Sequence, residues 1–372
     1  MSSATPTIRL FQPAHSPQVE QTALEVLRSG QIASGGRVAS FEAAIAALIG
    51  RPEVVTTDDM TSALMLALHL ANVGPGDEVL TMAYSCLSSN SAVVRIGATP
   101  VWVDIDPATA SMSIDDLKRA ITPRTKAVMV YHVAGYPARM TEIAALCREC
   151  GIVVIEDCNN ALGARLGNAP VGQIGDFAVY SFYPNRQVNA VEGGALACPS
   201  AAVSARARRL RRFGIDAAKF RDRLGEISPV SNVPEIGWSA SLSNLNAAIG
   251  LAQLPALESQ LRRTRDNAAR LRDACTGVAG FVPVTAIPGA EPCYWAFLAL
   301  ADRRDERLSR LKKGGVHASK LHHRNDDYTG FAAHRRPLPG TDEFMSRVLA
   351  LPCGWWLADE EMDRLIEQLR RA

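Results

Sequence analysis

Two short segments of the sequence hold the residue types from which a reactive pocket could be built. In the first, an apolar run ends in Asp157, and Asn160 follows three residues later. The second leads from the hydroxyl of Ser181 through Tyr183 to the guanidinium of Arg186. A carboxylate, an amide, hydroxyls and a cation can together bind and polarise a charged ligand. Taken alone, Asp157 is more typical of a turn or a helix N-cap.

The elements that must position these segments alternate along the chain. Between residues 54 and 198, short β-branched runs alternate with segments of helical period. This order predicts a mainly parallel sheet with helices on both faces. Ligands of such sheets bind beyond the carboxyl ends of the strands. The predicted strands are 54–55, 78–80, 101–103, 127–133, 152–155 and 177–182, and the predicted helices are 61–71, 88–96, 114–121 and 141–150.

The carboxyl-terminal part of the chain predicts a smaller α/β unit. Residues 241–274 are rich in Ala, Leu and Arg and predict a long helix, after which come two strand-like runs and a terminal helix at 358–371. We therefore expect a large domain over residues 1–250, including the amino-terminal segment, and a linking helix with a small domain over residues 251–372.

Composition excludes several classes of protein. The 372 residues are 47% hydrophobic and 21% charged with a net charge of +2, which predicts a globular chain without nucleic-acid or membrane partners. No apolar run approaches the about 20 residues of a membrane span. Eight scattered cysteines and the lack of an export signal predict a cytoplasmic location. Cys147 and Cys150 have no second pair, so helix thiols are favoured over zinc and no metal is expected.

A series of short motifs extends almost from one end of the chain to the other. They are Gly-Gln-Ile-Ala-Ser-Gly at 30–35, Gly-Pro-Gly-Asp-Glu-Val-Leu at 74–80, a run at 97–106, His-Val-Ala-Gly-Tyr-Pro-Ala at 132–138, Glu-Asp at 156–157, Glu-Gly-Gly at 192–194 and a run at 237–250. In this order they resemble the DegT/StrS family of sugar aminotransferases. The resemblance implies fold type I of the pyridoxal-phosphate (PLP) enzymes, an α/β fold with a mostly parallel central sheet, helices on both faces and a smaller C-terminal α/β domain.

The resemblance also implies a function in nucleotide-sugar or amino-sugar biosynthesis, for polysaccharides or antibiotic sugars. Members of the family transfer amino groups with PLP or with its pyridoxamine form (PMP). Their substrates are nucleotide-activated keto-sugars, and their active sites lie at the interface of a homodimer. The expected partners of this chain are therefore an anionic small molecule and a second copy of itself.

Four residues match the positions that hold the cofactor in the family. The resemblance places Asp157 against the pyridine nitrogen, where a carboxylate keeps the ring protonated as an electron sink. Asn160 stands where the family usually has a glutamine near the ring hydroxyl. Ser181 and Thr61 match the phosphate-binding serine and the threonine of a phosphate loop at a helix N-terminus.

The lysine that should hold PLP as a Schiff base is absent from its expected position. Counting five residues from Ser181, that position is Arg186. A guanidinium has a pKa above about 12 and cannot supply the neutral amine of an imine. We therefore expect Arg186 to face an anion in the pocket. The chain has only six lysines, and Lys219 is the nearest candidate for a migrated role.

Other family positions are also changed. Met60 replaces the glycine of the phosphate loop, where it should obstruct the approach of a phosphate to the backbone. Cys86 replaces an aromatic residue that stacks on the cofactor ring. Ser239 and Ser241 replace an asparagine and an arginine, of which the asparagine reaches the phosphate of the neighbouring subunit.

Three interpretations follow from these departures. An enzyme could use PLP or PMP noncovalently, with proton transfer assigned to His132, Tyr183 or His322. Alternatively, the pocket could bind no PLP and hold another anionic ligand, either for different chemistry or as an inactive binding or regulatory subunit. In the third interpretation, Arg186 is an engineered replacement in an ordinary transaminase, although a single replacement does not explain Met60 or Ser239.

Two basic clusters remain. His323 and Arg324 resemble the loop that approaches the sugar in family members, and a polar surface loop is an equal alternative. The arginines of residues 206–212 lie on a predicted helix and are expected to form a mostly solvated face.

Overall fold

The strands of the protein are short, and those of the central sheet are buried along most of their length. The computed structural model describes residues 7–372. Its strands are β1 Val54–Thr57, β2 Glu78–Met82, β3 Thr99–Val103, β4 Thr125–Tyr131, β5 Val153–Asp157, β6 Arg165–Leu166, β7 Ala169–Pro170, β8 Phe177–Ser181, β9 Gly194–Ala197, β10 Phe281–Pro283, β11 Ala290–Glu291, β12 Phe297–Ala301 and β13 Val348–Leu351.

The central sheet has seven strands in the order β1-β9-β8-β5-β4-β2-β3. Strands β3, β2, β4, β5 and β8 pair in parallel, whereas β9 is antiparallel to both of its neighbours. Strand β1 therefore points the same way as the parallel strands. The segments after Thr57, Tyr131, Asp157 and Ser181 consequently leave the sheet at one edge, as predicted.

Helices connect these strands and cover the sheet. They are α1 Pro17–Ser29, α2 Gly36–Ile49, α3 Met60–Leu70, α4 Leu87–Arg95, α5 Ile114–Ala120, α6 Met140–Cys150, α7 Ala201–Leu210, α8 Asn244–Gln253, α9 Leu257–Thr276, α10 Arg304–Lys313, α11 Pro339–Arg347 and α12 Asp359–Arg371. The predicted α/β fold and the predicted elements of residues 54–198 are confirmed. Within residues 7–372, no helix is long and apolar enough to cross a bilayer.

The single long helix expected at 241–274 is wrong. The structure has α8 and α9 instead, separated by a 3-10 turn at Leu254–Ala256 that contains Pro255. Proline lacks the N–H of a regular helix, and its ring clashes with the preceding turn. The chain therefore changes helix type at this residue.

The carboxyl-terminal part adds a sheet of three strands in the order β10-β12-β13. Its apolar side chains join one hydrophobic cluster with those of the central sheet, since Leu80 and Val130 belong to the same cluster as Leu298 and Leu349. The division at residue 250 stays a prediction, because this core extends across it. All eight cysteines, at 86–353, are free thiols.

The arginines of α7 and of the turn after it do not form the solvated face expected from sequence. Arg206 pairs with Glu235, with 2.6 Å between Nη2 and Oε1. Arg211 pairs with Glu42 at 2.5 Å, and Arg208 reaches the same carboxylate at 3.4 Å. The helical period of residues 206–212 does not reveal the ion pairs with Glu42, because Glu42 belongs to a different helix, α2.

Glu156 fixes β5 to the loop that follows it. Its carboxylate accepts hydrogen bonds from the backbone N–H groups of Gly172 at 2.9 Å and Ile174 at 2.8 Å, and the N–H of Gly175 also contacts it. Nε2 of His132 lies 3.1 Å from Oε2, the oxygen that also accepts from Gly172. Burial opposes ionisation of Glu156, but these donors outweigh it and lower its pKa. The carboxylate is therefore charged and fully engaged in the fold.

Replacing this carboxylate should destabilise the protein. We expect Glu156→Gln to lower the free energy of unfolding by about 3 kcal/mol, because the new amide would point N–H groups at backbone donors. The wild-type contribution should be present above the ordinary pKa of 4.5 and be lost as the pH falls through the lowered folded value. Urea unfolding at pH 7 and pH 4 measures both effects. The exposed Glu149→Gln is the matched control, and equal stability of the two variants would contradict this role.

Candidate functional site

Asp157 ends β5 with its side chain fully buried at the edge of the sheet. The hydroxyl of Ser89 donates to Oδ2 at 2.6 Å, and the backbone and side-chain N–H groups of Asn159 donate to Oδ1 at 3.1 and 2.9 Å. Burial raises the pKa of Asp157, while these three donors favour its ionised form. The carboxylate is thus held rigidly below the pocket.

A chain of polar groups extends from Asn160. Its Nδ2 donates to the hydroxyl of Tyr131 at 2.9 Å, and that hydroxyl lies 3.1 Å from Nε2 of His322. Oδ1 of Asn160 is buried and has no hydrogen-bond partner among the described residues 7–372. The His322 ring lies parallel to that of Trp295, with centroids 6.4 Å apart. The loop that carries His322 therefore closes over the end of the sheet.

These groups are poorly suited to exchange protons near neutral pH. Burial, together with the charge of Arg186, lowers the pKa of His322 to about 3. Burial raises the pKa of Cys86 to about 11 and that of Tyr131 well above its usual range. At pH 7, His322 is therefore neutral, and the thiol and the phenol both keep their protons.

Arg186 lies in the loop after β8 with only 8% of the residue exposed. Its guanidinium donates to the side chain of Asn185 and lies 5.0 Å from the ring centre of Trp295. Nε is buried without a hydrogen-bond partner, and no carboxylate of residues 7–372 forms an ion pair with this side chain. A buried charge of this kind normally has a counter-ion. The guanidinium thus has no ion pair among the described residues, and its charge acts at longer range on Glu192 of the same pocket, where it opposes the rise in the pKa of that carboxyl.

A cavity of about 610 Å³ opens beside Arg186 at the start of α3. Four of its residues were predicted as site residues, and the other five include three acids. The lining comprises Thr61, Ser181, Tyr183 and Arg186, with Asp58, Asp59, Met60, Ser88 and Glu192. None of these residues is a lysine. Lys219 pairs with Asp216 on an exposed loop, with 80% of its side chain exposed, and is not part of the lining.

The N-terminus of α3 is already capped by this chain. Oδ1 of Asp59 accepts the backbone N–H of Ser62 at 2.7 Å, and Oδ1 of Asp58 accepts the N–H of Asp59 at 2.9 Å. Burial raises the pKa of Asp58, with a contribution from neighbouring Asp59. The backbone N–H groups of Asp59 and Ser62 at this helix end thus already donate to carboxylates of the same chain.

His132 does not reach the pocket, so the structure does not support its expected role in proton transfer. Its ring is fully buried, with Nε2 at Glu156 and Nδ1 accepting the N–H of Ala138 at 3.0 Å. Both nitrogens are engaged below the pocket. Tyr183, which is 47% exposed at the cavity, remains the accessible hydroxyl among the expected proton carriers.

The basic residues expected near a sugar are also held elsewhere. The Arg324 guanidinium pairs with Asp326 at 2.6 Å and contacts Asp342, so its donors face acids of its own chain. His323 lies 3.4 Å from Asp327 with 54% of its side chain exposed. The sequence does not reveal the contact between Arg324 and Asp342, because Asp342 lies on a later helix.

Several site residues were missed by reasoning from sequence. Ser89 and Asn159 hold Asp157, and Trp295 faces Arg186 from β12's amino-terminal side, yet none belongs to a recognisable chemical motif. Asp58 and Asp59 did leave a signal, because acids directly before an apolar helix are typical of an N-cap.

The residues present fit one end of PLP and not the other. Asp157 is placed as a ring-nitrogen partner, and the unpartnered Oδ1 of Asn160 could accept a ring hydroxyl. At the phosphate end, Asp59 occupies the helix terminus and three carboxylates line the cavity. With Arg186 in place of lysine as well, the complete cofactor does not fit this pocket.

Comparison with known proteins places this chain among sugar aminotransferases. The profile of the DegT/DnrJ/EryC1/StrS aminotransferase family matches residues 14–370. A dTDP-4-dehydro-2,3,6-trideoxy-D-glucose 4-aminotransferase of Saccharopolyspora spinosa is 31% identical, with 98% of this chain and 96% of that protein covered. The crystal structure of AtS13 from Actinomadura melliaura is 35% identical, with a TM-score of 0.94 over 99% of this chain and 100% of AtS13.

A further similarity concerns the fold. Spr1654 from Streptococcus pneumoniae, solved in a PMP form, is 24% identical with a TM-score of 0.91, and 98% of each chain is covered. Its PLP form has a TM-score of 0.90. At 24% identity these two structures show the shared fold.

The charge of the cavity makes a direct prediction about phosphate. We expect wild-type protein to bind PMP less than tenfold more tightly than pyridoxamine, which lacks the phosphate, because the three carboxylates oppose the attraction of Arg186 for a phosphate in the same cavity. The double variant Asp58→Asn/Asp59→Asn should shift the preference towards PMP by at least about tenfold, since asparagine keeps the helix cap without the charge. Isothermal titration calorimetry measures the four affinities.

The exposed Asp273→Asn serves as the charge-matched control in this titration. It should behave like the wild type. A wild-type protein that binds PMP tenfold more tightly than pyridoxamine would contradict the repulsion.

Proposed function

Since this chain belongs to the DegT/DnrJ/EryC1/StrS aminotransferase family of nucleotide-sugar biosynthesis, we propose that it binds an anionic, nucleotide-sugar-type ligand at Arg186 and does not form the lysine Schiff base of its family. The ligand is held by charge and hydrogen bonds alone. Transamination through a tethered cofactor is not its reaction.

The observation that carries this proposal is the unpaired guanidinium. Arg186 is 8% exposed and forms no ion pair with an acid of the described residues, although its charge acts at longer range on Glu192. A guanidinium binds phosphate or carboxylate oxygens through paired N–H donors, which gives geometric selectivity as well as affinity. An anionic ligand would therefore supply the direct ion pair that the fold does not.

The titrating groups support binding more than proton transfer. His322, Cys86 and Tyr131 have pKa values displaced from neutrality in the direction that keeps each of them uncharged. A general acid or base works best with a pKa near the operating pH. We therefore favour a binding or regulatory role, and any chemistry would use the exposed hydroxyl of Tyr183.

A repurposed enzyme with noncovalent PLP or PMP is the second candidate. The ordered carboxylate of Asp157, with its three donors, favours this alternative, because it matches a pyridine nitrogen. The acids at the cavity disfavour it. Tight PMP binding in the titration above would select this alternative.

We also propose that the protein is a homodimer, with a cytoplasmic location as expected from its composition. Large apolar side chains are exposed on the loop between α7 and α8, namely Leu224 at 86%, Val230 at 83% and Ile236 at 79%. Large apolar side chains that are exposed within one loop could be covered by a second copy of the chain. This loop directly follows the arginines that pair with Glu42 and Glu235.

Removing the cation should remove ligand binding. With dTDP-glucose as the probe, we expect Arg186→Met to weaken binding about 10- to 100-fold, because a hydrogen bond to a charged group contributes about 1.5–3 kcal/mol. Calorimetry at pH 7 gives the affinities. Arg262→Met, at an exposed position of α9, is the control and should bind as the wild type does. Unchanged affinity in Arg186→Met would refute the anion site.

The dimer has its own test. Val230→Glu together with Ile236→Glu should convert the dimer to a monomer, because charges on both apolar positions cannot be desolvated cheaply. Light scattering after size-exclusion chromatography measures the mass. A wild-type protein of 40.0 kDa in solution would show that these side chains do not join two copies.

A further inference from the structure

Trp295 holds the Arg186 side chain in two ways. The centre of its ring lies 5.0 Å from the guanidinium carbon. Its indole N–H donates to the backbone oxygen of Asn185 at 2.6 Å, and the side chain of Asn185 in turn accepts from Nη1 of Arg186. One side chain therefore contacts the cation directly and also fixes the residue that hydrogen-bonds to it.

The indole ring is itself fixed in place. Phe11 stacks on it, with the two ring centroids 4.1 Å apart and the ring planes 17° apart. The backbone N–H of Trp295 donates to the oxygen of Ala134 at 2.9 Å, and only 9% of the residue is exposed. A side chain that is held by packing and hydrogen bonds can orient the group that it contacts.

The ring contact differs from an ion pair in what it leaves available. A carboxylate would take up two N–H donors of a guanidinium. The face of an aromatic ring, and most strongly that of tryptophan, attracts the same cation and leaves those donors unoccupied. Within residues 7–372, the Arg186 guanidinium makes one hydrogen bond, to Asn185, and its Nε has no partner. The remaining N–H donors therefore stay available to an anion.

Trp295 acts on the cavity from outside its lining. Arg186 follows β8 and Trp295 precedes β12, whereas Phe11 belongs to the segment before α1. Among the residues that the structure describes, the lining of the cavity beside α3 includes Arg186 and not Trp295. Any effect of the indole on a ligand in that cavity must therefore pass through the guanidinium.

From these contacts we infer that Trp295 is a positioning residue for the anion site, whose ring and N–H together hold the Arg186 guanidinium with its free donors towards the ligand. The inference rests on the proposed function, because Arg186 must bind the anion for its orientation to matter. Trp295 contributes to the affinity without touching the ligand. Loss of its aromatic face should therefore weaken binding only while Arg186 is present.

Substitutions of Trp295 test the aromatic face. With dTDP-glucose as the probe at pH 7, we expect Trp295→Leu to weaken binding about tenfold, which is the effect of losing a desolvated cation–π contact. Trp295→Phe keeps an aromatic face and should stay within about threefold of the wild type. Trp238→Leu, at a ring that contacts His69 instead, is the matched control and should bind as the wild type does.

Calorimetry gives these affinities, and thermal unfolding shows that each variant is folded. If Trp295→Leu does not fold, Trp295→Met, which also lacks an aromatic face, takes its place with the same expected loss.

A double-mutant cycle separates positioning from direct contact. In the Arg186→Met background, Trp295→Leu should weaken binding by less than about twofold, because the ring then has no cation to orient. Ligand-observed NMR measures these weaker affinities. A second tenfold loss in that background would mean that Trp295 meets the ligand itself, and it would overturn the positioning role.

The other outcomes separate this inference from the proposed function. Lost binding in Arg186→Met, together with unchanged binding in Trp295→Leu, would leave the anion site in place and overturn the role of Trp295. Equal weakening in Trp295→Phe and Trp295→Leu would also overturn it, because the aromatic face would then make no difference. Failure of wild-type protein to bind dTDP-glucose would refute the anion site and, with it, this inference.

Discussion

A guanidinium with 8% of its residue exposed and no carboxylate within ion-pairing distance carries its full charge at the mouth of the sheet. This side chain, Arg186, acts on the titrating groups around it, after the larger effect of their burial. Its charge contributes to lowering the pKa of His322 and opposes the rise in that of Cys86. It cannot lose its proton, so it cannot act as the amine of an imine. Its position is the basis of our proposal that the ligand of this pocket is held noncovalently.

The two ends of the pocket have diverged to different degrees from what a PLP enzyme needs. At the sheet, Asp157 keeps three donors and the amide of Asn160 keeps a free acceptor. At the start of α3, Asp59 occupies the helix terminus that would bind a phosphate. The fold is that of an aminotransferase, but the function depends on which charged side chains line the pocket.

The fold brings these charges together through the sheet topology. Strands β1, β4, β5 and β8 point in one direction, so the residues that follow them meet at one edge although they are up to 130 positions apart. The buried pair of His132 and Glu156 lies directly behind this edge and holds the loop at 172–175. The ion pairs of Arg206 with Glu235 and of Arg211 with Glu42 hold α7 and the turn after it in place. These hydrogen bonds and ion pairs hold the surrounding loops in place, so the Arg186 guanidinium stays buried without an ion pair.

The sequence by itself determined the family, the order of strands and helices over residues 54–198 and the incompatibility of Arg186 with a Schiff base, because these depend on periodicity, ordered motifs and the chemistry of one side chain. Only the tertiary structure decided that His132 and Arg324 are engaged by acids, and that Asp58, Asp59 and Glu192 share a cavity with Arg186. The physical reason is distance along the chain. Burial and pairing depend on neighbours that come from other elements, and local sequence does not specify those neighbours.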